Sequence, residues 1–160
     1  MLAESEMSSN ETAERISYRA SYHHGVDEKR RVQIPAKWRP TQPDVRFTLM
    51  FWNPPKQKLP CLLVLPPRAY ARLEAKMEAM SFSDPQAESL RRYLGTNSDD
   101  VFLDKGGRIC LPEAMAKRVG ITGQAVLVGL LDRFQIWSPK NHASVTADDE
   151  AVASIVLKLI

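Results

Sequence analysis

The clearest alternation of apolar and polar positions is Val45–Trp52, where Val45, Phe47, Leu49 and Phe51 take every second place. A period of two puts these four on one face of a strand. Arg31-Val32-Gln33-Ile34 alternates in the same way, with Val32 and Ile34 inward and Arg31 and Gln33 outward. Arg108-Ile109-Cys110-Leu111 repeats that pattern, with Ile109 and Leu111 inward. Cys61–Leu65 is apolar throughout, as a short strand covered on both faces would be. Ala125–Val128 and Phe134–Trp137 predict two more strands, and Val101–Leu103 leads into a turn. Tyr18–His23 has the aromatic spacing of a strand entering another turn.

Elsewhere the period becomes helical. Pro67 opens a helix whose Tyr70, Leu73, Met77 and Met80 form one stripe, a pattern that usually marks core packing. Ser83-Asp84-Pro85 caps a second helix, with Ala87, Leu90 and Leu94 inward and Gly95 at its end. Ala36–Arg39 is a brief helical turn stopped by Pro40. Pro112–Val119 is a helix closed by Gly120, Pro139 opens another, and 148–160 is long enough for one more short helix.

These elements fall into two copies. Asp27-Glu28-Lys29-Arg30-Arg31-Val32-Gln33-Ile34-Pro35 returns as Asp104-Lys105-Gly106-Gly107-Arg108-Ile109-Cys110-Leu111-Pro112, at an offset of 77. Leu62–Pro67 is answered by Phe134–Pro139 at an offset of 72, so the first copy is longer by five, and the Pro-rich loop 53–58 can hold the surplus. Two copies at so long a period predict a pseudo-two-fold pair rather than a solenoid. Within each copy, an Asp at a turn accepts backbone N–H groups just ahead of it. An Arg four residues on can return to pair with it. Gly106-Gly107 supplies a permissive backbone in the second turn, whereas Lys29-Arg30 obliges the first to tolerate Cβ atoms.

Composition narrows the class. With 44% hydrophobic residues, the 160-residue chain can bury a core as one domain or two halves sharing one. Its longest apolar runs, Cys61–Leu65 and Ala125–Leu131, fall far short of the ~20 residues that span a bilayer. The acidic first residues lack a basic flank and an apolar stretch, so no secretory signal is expected. Cys61 and Cys110 make neither a disulfide framework nor a metal quartet; two reduced thiols in a cytoplasmic protein are expected. The net charge of +3 hides an uneven distribution. Residues 1–14 carry −4 and 144–160 carry −2, which leaves +9 on 15–143. A concentrated positive field suits a polyanionic partner, although a charge run is usually a solvated face.

Taken together, the paired Asp-x-x-x-Arg turns, the Cys-Leu-Leu-Val-Leu-Pro strand and the Val-Leu-Val-Gly…Arg-Phe-Gln-Ile-Trp run resemble the MraZ family of the AbrB/SpoVT swapped-hairpin group. The resemblance covers Tyr18–Ala143, roughly four-fifths of the chain. It implies an α+β fold: a pseudo-two-fold β-barrel made of two swapped-hairpin AbrB-like repeats, with flanking helices. The implied division is an acidic, disordered leader over 1–15, a first repeat with helices over 16–94, a second repeat over 95–144, and a tail or short helix over 145–160. The implied function is a non-enzymatic, sequence-specific DNA-binding regulator, a repressor of the bacterial division and cell-wall gene cluster. It would bind direct-repeat boxes of double-stranded DNA as a ring-like homo-oligomer, cytoplasmic and nucleoid-associated, with no membrane contact. An AbrB-like antitoxin or a structural ring without DNA binding are the alternatives.

The family's DNA-binding residues match Lys29, Arg31 and Arg108 here. Asp27 and Asp104 match the motif acids, which form the turns and orient the arginines. Arg30 stands where the family usually has Gly; with Lys105 it would neutralise phosphate. Arg19 is a further candidate, weighed against a solvated surface residue. On spacing alone, Arg31 and Arg108 read as partners of Asp27 and Asp104; the second copy and the resemblance add a DNA role. His23 and His24 are adjacent on a strand and point to opposite faces, so a shared metal is not expected. Lys105-Gly106-Gly107-Arg108 lacks the spacing of a phosphate loop. No catalytic set and no cofactor site are expected.

Overall fold

The computed structural model describes residues 15–149 and 152–160, so the expected disorder of the leader falls almost wholly outside the described residues. In chain order the strands are β1 (Ser21–Gly25), β2 (Arg31–Gln33), β3 (Arg46–Trp52) and β4 (Cys61–Leu65), then β5 (Ser98–Phe102), β6 (Arg108–Cys110), β7 (Gln124–Gly129) and β8 (Phe134–Trp137). A 3-10 turn, Ala36–Trp38, follows β2. The helices are α1 (Pro67–Glu78), α2 (Pro85–Thr96), α3 (Glu113–Arg118), α4 (Pro139–Asp149) and α5 (Ala153–Leu159).

Six strands form one antiparallel sheet in the order β1-β7-β8-β4-β3-β5, and β2 with β6 forms a separate two-stranded ribbon. The order reads the same from both ends when β1 is exchanged for β5, β3 for β7 and β4 for β8. The first strand of each half pairs with the other half: β1 with β7, and β5 with β3. At the centre of the ribbon Val32 faces Ile109, and at the centre of the sheet Leu63 faces Gln135. Those pairs are 77 and 72 residues apart, the two offsets of the sequence repeat, so one pseudo-two-fold axis passes through both. The five surplus residues lie in the β3–β4 loop, 53–60, whose counterpart by the two offsets is 130–132. The expected closed β-barrel does not form: among the described strands, β1 and β5 are edges of an open sheet.

The core sits between ribbon and sheet. Val32, Ile34, Ile109 and Leu111 from the ribbon side meet Phe47, Leu49, Leu62, Phe134 and Ile136 from the sheet, with Trp38 among them. As its unbroken apolarity predicts, β4 is buried throughout: Leu62 and Val64 face this core, while Leu63 and Leu65 face Met50 and Ala69 under α1.

Four local expectations shift. Tyr18 makes only an isolated bridge to Leu131, because Ala20 turns the chain with φ 74° before β1 begins. The α1 stripe is shallow; Ala69 alone is fully buried, and Met80 lies beyond the helix end. Asp84 caps α2 by accepting the Gln86 N–H, but Leu90 keeps 37% of its surface exposed. α2 also runs through Gly95 to Thr96, where the Asn97 N–H bonds to the Tyr93 carbonyl.

Candidate nucleic-acid interface

Each repeated motif folds as a turn that hands its arginine to the ribbon. Asp27 Oδ1 accepts the N–H groups of Lys29 (3.0 Å) and Arg31 (2.8 Å), and Oδ2 accepts Arg31 Nε at 2.7 Å. Asp104 Oδ1 accepts the N–H groups of Gly106 (2.8 Å) and Arg108 (2.9 Å). Arg108 Nε lies 3.3 Å from Asp104 Oδ2, near enough for an ion pair but not aligned as a hydrogen bond, and that buried nitrogen has no hydrogen-bond partner. The backbone matches as well: Arg30 N–H bonds to the Asp27 carbonyl and Gly107 N–H to that of Asp104. In both turns the arginine's own backbone N–H does most to hold the carboxyl below the usual aspartate range; next come the Arg31 guanidinium's hydrogen bond and charge at Asp27, and the Arg108 charge and the Gly106 N–H at Asp104.

The backbone at the close of each turn is left-handed, φ 62° at Arg30 and 79° at Gly107. A side chain there costs roughly 1–2 kcal/mol. Arg30 offsets part of that through its Nε, which donates to the Leu111 carbonyl at 3.0 Å, a bond of about 1 kcal/mol net.

Antiparallel pairing brings the two turns to one surface. Arg31 faces Cys110 and Gln33 faces Arg108 across the ribbon, so all four point outward while Val32 and Ile109 point in. Arg31 and Arg108 are then diagonal neighbours, with Cα atoms roughly 7–8 Å apart. Both line an open depression of ≈ 300 Å³ with Asp27, Gln33, Gly25 and Val26. Side chains tie each strand to the opposite turn: Gln33 Nε2 donates to the Gly106 carbonyl at 3.0 Å, and Cys110 Sγ to the Lys29 carbonyl at 3.1 Å. Positions 33 and 110, like 29 and 106, are equivalent across the repeat.

The aspartates and arginines therefore form ion pairs, with about a third of each side chain exposed. Such pairs contribute only ~0–1 kcal/mol. They engage the Nε edge, and among the described residues nothing hydrogen-bonds to the Nη atoms of Arg31 or Arg108. The carboxylates thus orient the forks toward solvent. Lys29 and Lys105 are exposed on the turns. Arg19 stands apart: it precedes β1, its Nε bonded to Ser17 Oγ at 2.9 Å, and the whole strand separates it from the Asp27 turn. The motif pattern passes over Arg39, whose Nε donates to the Ile34 carbonyl at 2.7 Å. Its signal was the bare Gly107, whose missing side chain leaves that guanidinium its room.

A larger depression, ≈ 470 Å³, lies near Tyr18 and Leu131. Its one carboxylate, Asp132, is taken by Arg72 at 2.8 Å and Arg133 at 2.9 Å. Among the described residues no group of three or more His, Cys, Asp or Glu side chains is placed to hold a metal ion.

Residues 94–155 match the family model described as "MraZ protein, putative antitoxin-like". A transcriptional regulator MraZ from Herpetosiphon aurantiacus is 36% identical over 134 residues, spanning 82% of this chain and 90% of the relative. The chain belongs to the MraZ family. Another MraZ relative, from Desulfitobacterium hafniense (strain DSM 10664 / DCB-2), is 31% identical over 144 residues, covering 89% of this chain and 96% of its own length. A third, from Thermomicrobium roseum, is 29% identical over 143 residues, covering 87% and 96%. Each of these three MraZ relatives is named a transcriptional regulator. Among the described residues no helix is long and apolar enough to cross a membrane.

Proposed function

We propose that this MraZ-family chain is a sequence-specific DNA-binding regulator that presents the β2–β6 ribbon to the major groove. The observation that carries the reading is the meeting of the two Asp-x-x-x-Arg arginines on one outward face. A major groove about 12 Å wide admits a two-stranded β-ribbon. Arginine forks can take guanine O6 and N7 bidentately, while Lys29 and Lys105 neutralise phosphate. The strand exchange between halves supports reading 16–94 and 95–144 as two swapped-hairpin repeats. One small basic ribbon supplies modest affinity. Several copies in a ring-like homo-oligomer would raise it by avidity on direct-repeat boxes. The named relatives support a regulatory role, and we infer repression of the division and cell-wall gene cluster, with the protein cytoplasmic and nucleoid-associated.

The test is fluorescence anisotropy on the DNA upstream of the protein's own operon, across a salt series. Replacing both Arg31 and Arg108 with Ala should abolish specific binding and leave the oligomer intact. Unchanged affinity in that variant rules out these arginines as contacts. The antitoxin-like wording of the family description favours a second reading, a protein that neutralises a partner toxin. Salt-dependent binding of the isolated chain to the operator supports the first reading; binding to a partner alone supports the second.

A further inference from the structure

The ribbon's charge pattern is more symmetric than its sequence. Arg30 and Gly107 are equivalent across the repeat, so the first half has a guanidinium where the second has none. In space the gap is filled. Arg30 Nε caps the Leu111 carbonyl at one end of the ribbon, and Arg39 Nε caps the Ile34 carbonyl at the other. Ile34 and Leu111 are themselves equivalent, 77 residues apart. They sit beside Gly107 and Arg30, whose carbonyls accept their N–H groups. A Cβ built on Gly107 would lie 2.6 Å from Arg39 Cζ, so the absent side chain makes the room that Arg39 occupies. The position equivalent to Arg39 is Ala116, a small buried residue with no guanidinium to offer. Each half thus solves the same placement with a different residue.

We propose that Arg39 is a phosphate-contacting residue of the nucleic-acid interface, the second half's counterpart of Arg30. The inference rests on the DNA-binding reading above. Ile34 and Leu111 flank the three-residue ribbon at opposite ends, four positions apart in its register and so about 14 Å apart at ~3.4 Å per residue. That span is comparable to the ~12 Å width of the major groove. With Arg31 and Arg108 over the base edges, Arg30 and Arg39 reach the backbones on the two sides of the groove.

The halves differ in one respect. Glu113 lies beside Arg30, whose charge helps Lys117 hold the Glu113 carboxyl below its usual range. The position equivalent to Glu113 is Ala36, and among the described residues no carboxylate pairs with Arg39. Arg39 is therefore the less neutralised of the two and contributes at least as much to phosphate binding.

A fluorescein-labelled duplex of mixed sequence, titrated by anisotropy across a salt series, tests this, with thermal unfolding as the control for folding. Each neutralised phosphate contributes roughly 0.9 to the slope of log K against log salt. Arg39→Gln retains a donor for the Ile34 carbonyl but removes the charge, so it should lower the slope by about 0.9. Arg30→Gln should lower it by no more than that. The double variant Arg39→Ala/Gly107→Arg moves the guanidinium to the position used in the first half and should restore the wild-type slope. A wild-type slope in Arg39→Gln, with binding lost in Arg31→Ala/Arg108→Ala, overturns this inference alone. If Arg39→Gln does not fold, a folded double variant with a lowered slope overturns it equally. Failure of the wild-type protein to bind any duplex overturns both this inference and the reading on which it rests.

Discussion

Asp27 and Asp104 each convert a short turn into an arginine mount. Two backbone N–H groups and a guanidinium converge on one carboxylate, which favours its charged form. The folded-state pKa therefore lies below the ordinary 3.8. A depressed carboxylate contributes stability that is present above its unfolded pKa and is lost as pH falls through the folded value. The affected window thus lies below about pH 4. Carboxyl NMR titration should give both aspartates midpoints under 3.8, and Asp27→Asn/Asp104→Asn should flatten the acid limb of the stability curve. Ordinary midpoints would show that the turns do not hold their hydrogen bonds in solution. Both carboxylates are solvent-facing, so the local order of the arginines depends on them more than global stability does.

Among the elements, the ribbon has the least backbone and the most dependence on packing. Ile109 is only 1% exposed and faces Val32 on the axis. Ile109→Ala should destabilise the fold by about 2–5 kcal/mol, measured by chemical denaturation, because the removed methyl groups leave a cavity in a tightly packed region. A loss under about 1 kcal/mol would mean that the ribbon is not seated on the sheet. The ribbon strands were legible because a buried face forces strict alternation on four residues. β4 was legible because burial on both faces permits only apolar residues. β5 was only partly so: Ser98, Asp99 and Asp100 carry no strand signal, since an edge strand with one wet face needs few apolar residues and gains from charge. The repeat made the two turns legible and, with them, Arg31 and Arg108. The place of Arg39 beside Gly107 was not, because it lies outside the repeated motif and meets it only in space. Nor could alternation show that the first strand of each half pairs across to the other; that depends on register between residues about a hundred positions apart for β1 and about fifty for β5. Arg19 is near the motif in sequence, and β1 lies between it and the Asp27 turn in the structure.

For the whole molecule, the two-fold axis fixes how many arginines can share one surface, and the rest of the charge determines how strongly that surface attracts a polyanion. The +9 on residues 15–143 is opposed by −4 on residues 1–14. On the reading that those leading carboxylates compete with phosphate for the basic face, the competition is strongest at low ionic strength, where screening is weak. Deleting residues 1–14 should tighten operator binding in anisotropy at low salt and have little effect at high salt. Equal affinity with and without the segment at low salt would remove any inhibitory role for it.

The two thiols differ in one further way. Cys61 is sealed under the sheet, its pKa pushed up to about 12 by burial, so it stays protonated and unreactive toward maleimides. Cys110 is exposed on the outward face of the ribbon, directly across from Arg31. The unmutated chain therefore offers a dye or spin label a single point of attachment, and a reporter placed there stands within one side chain's reach of the surface whose occupancy it would record.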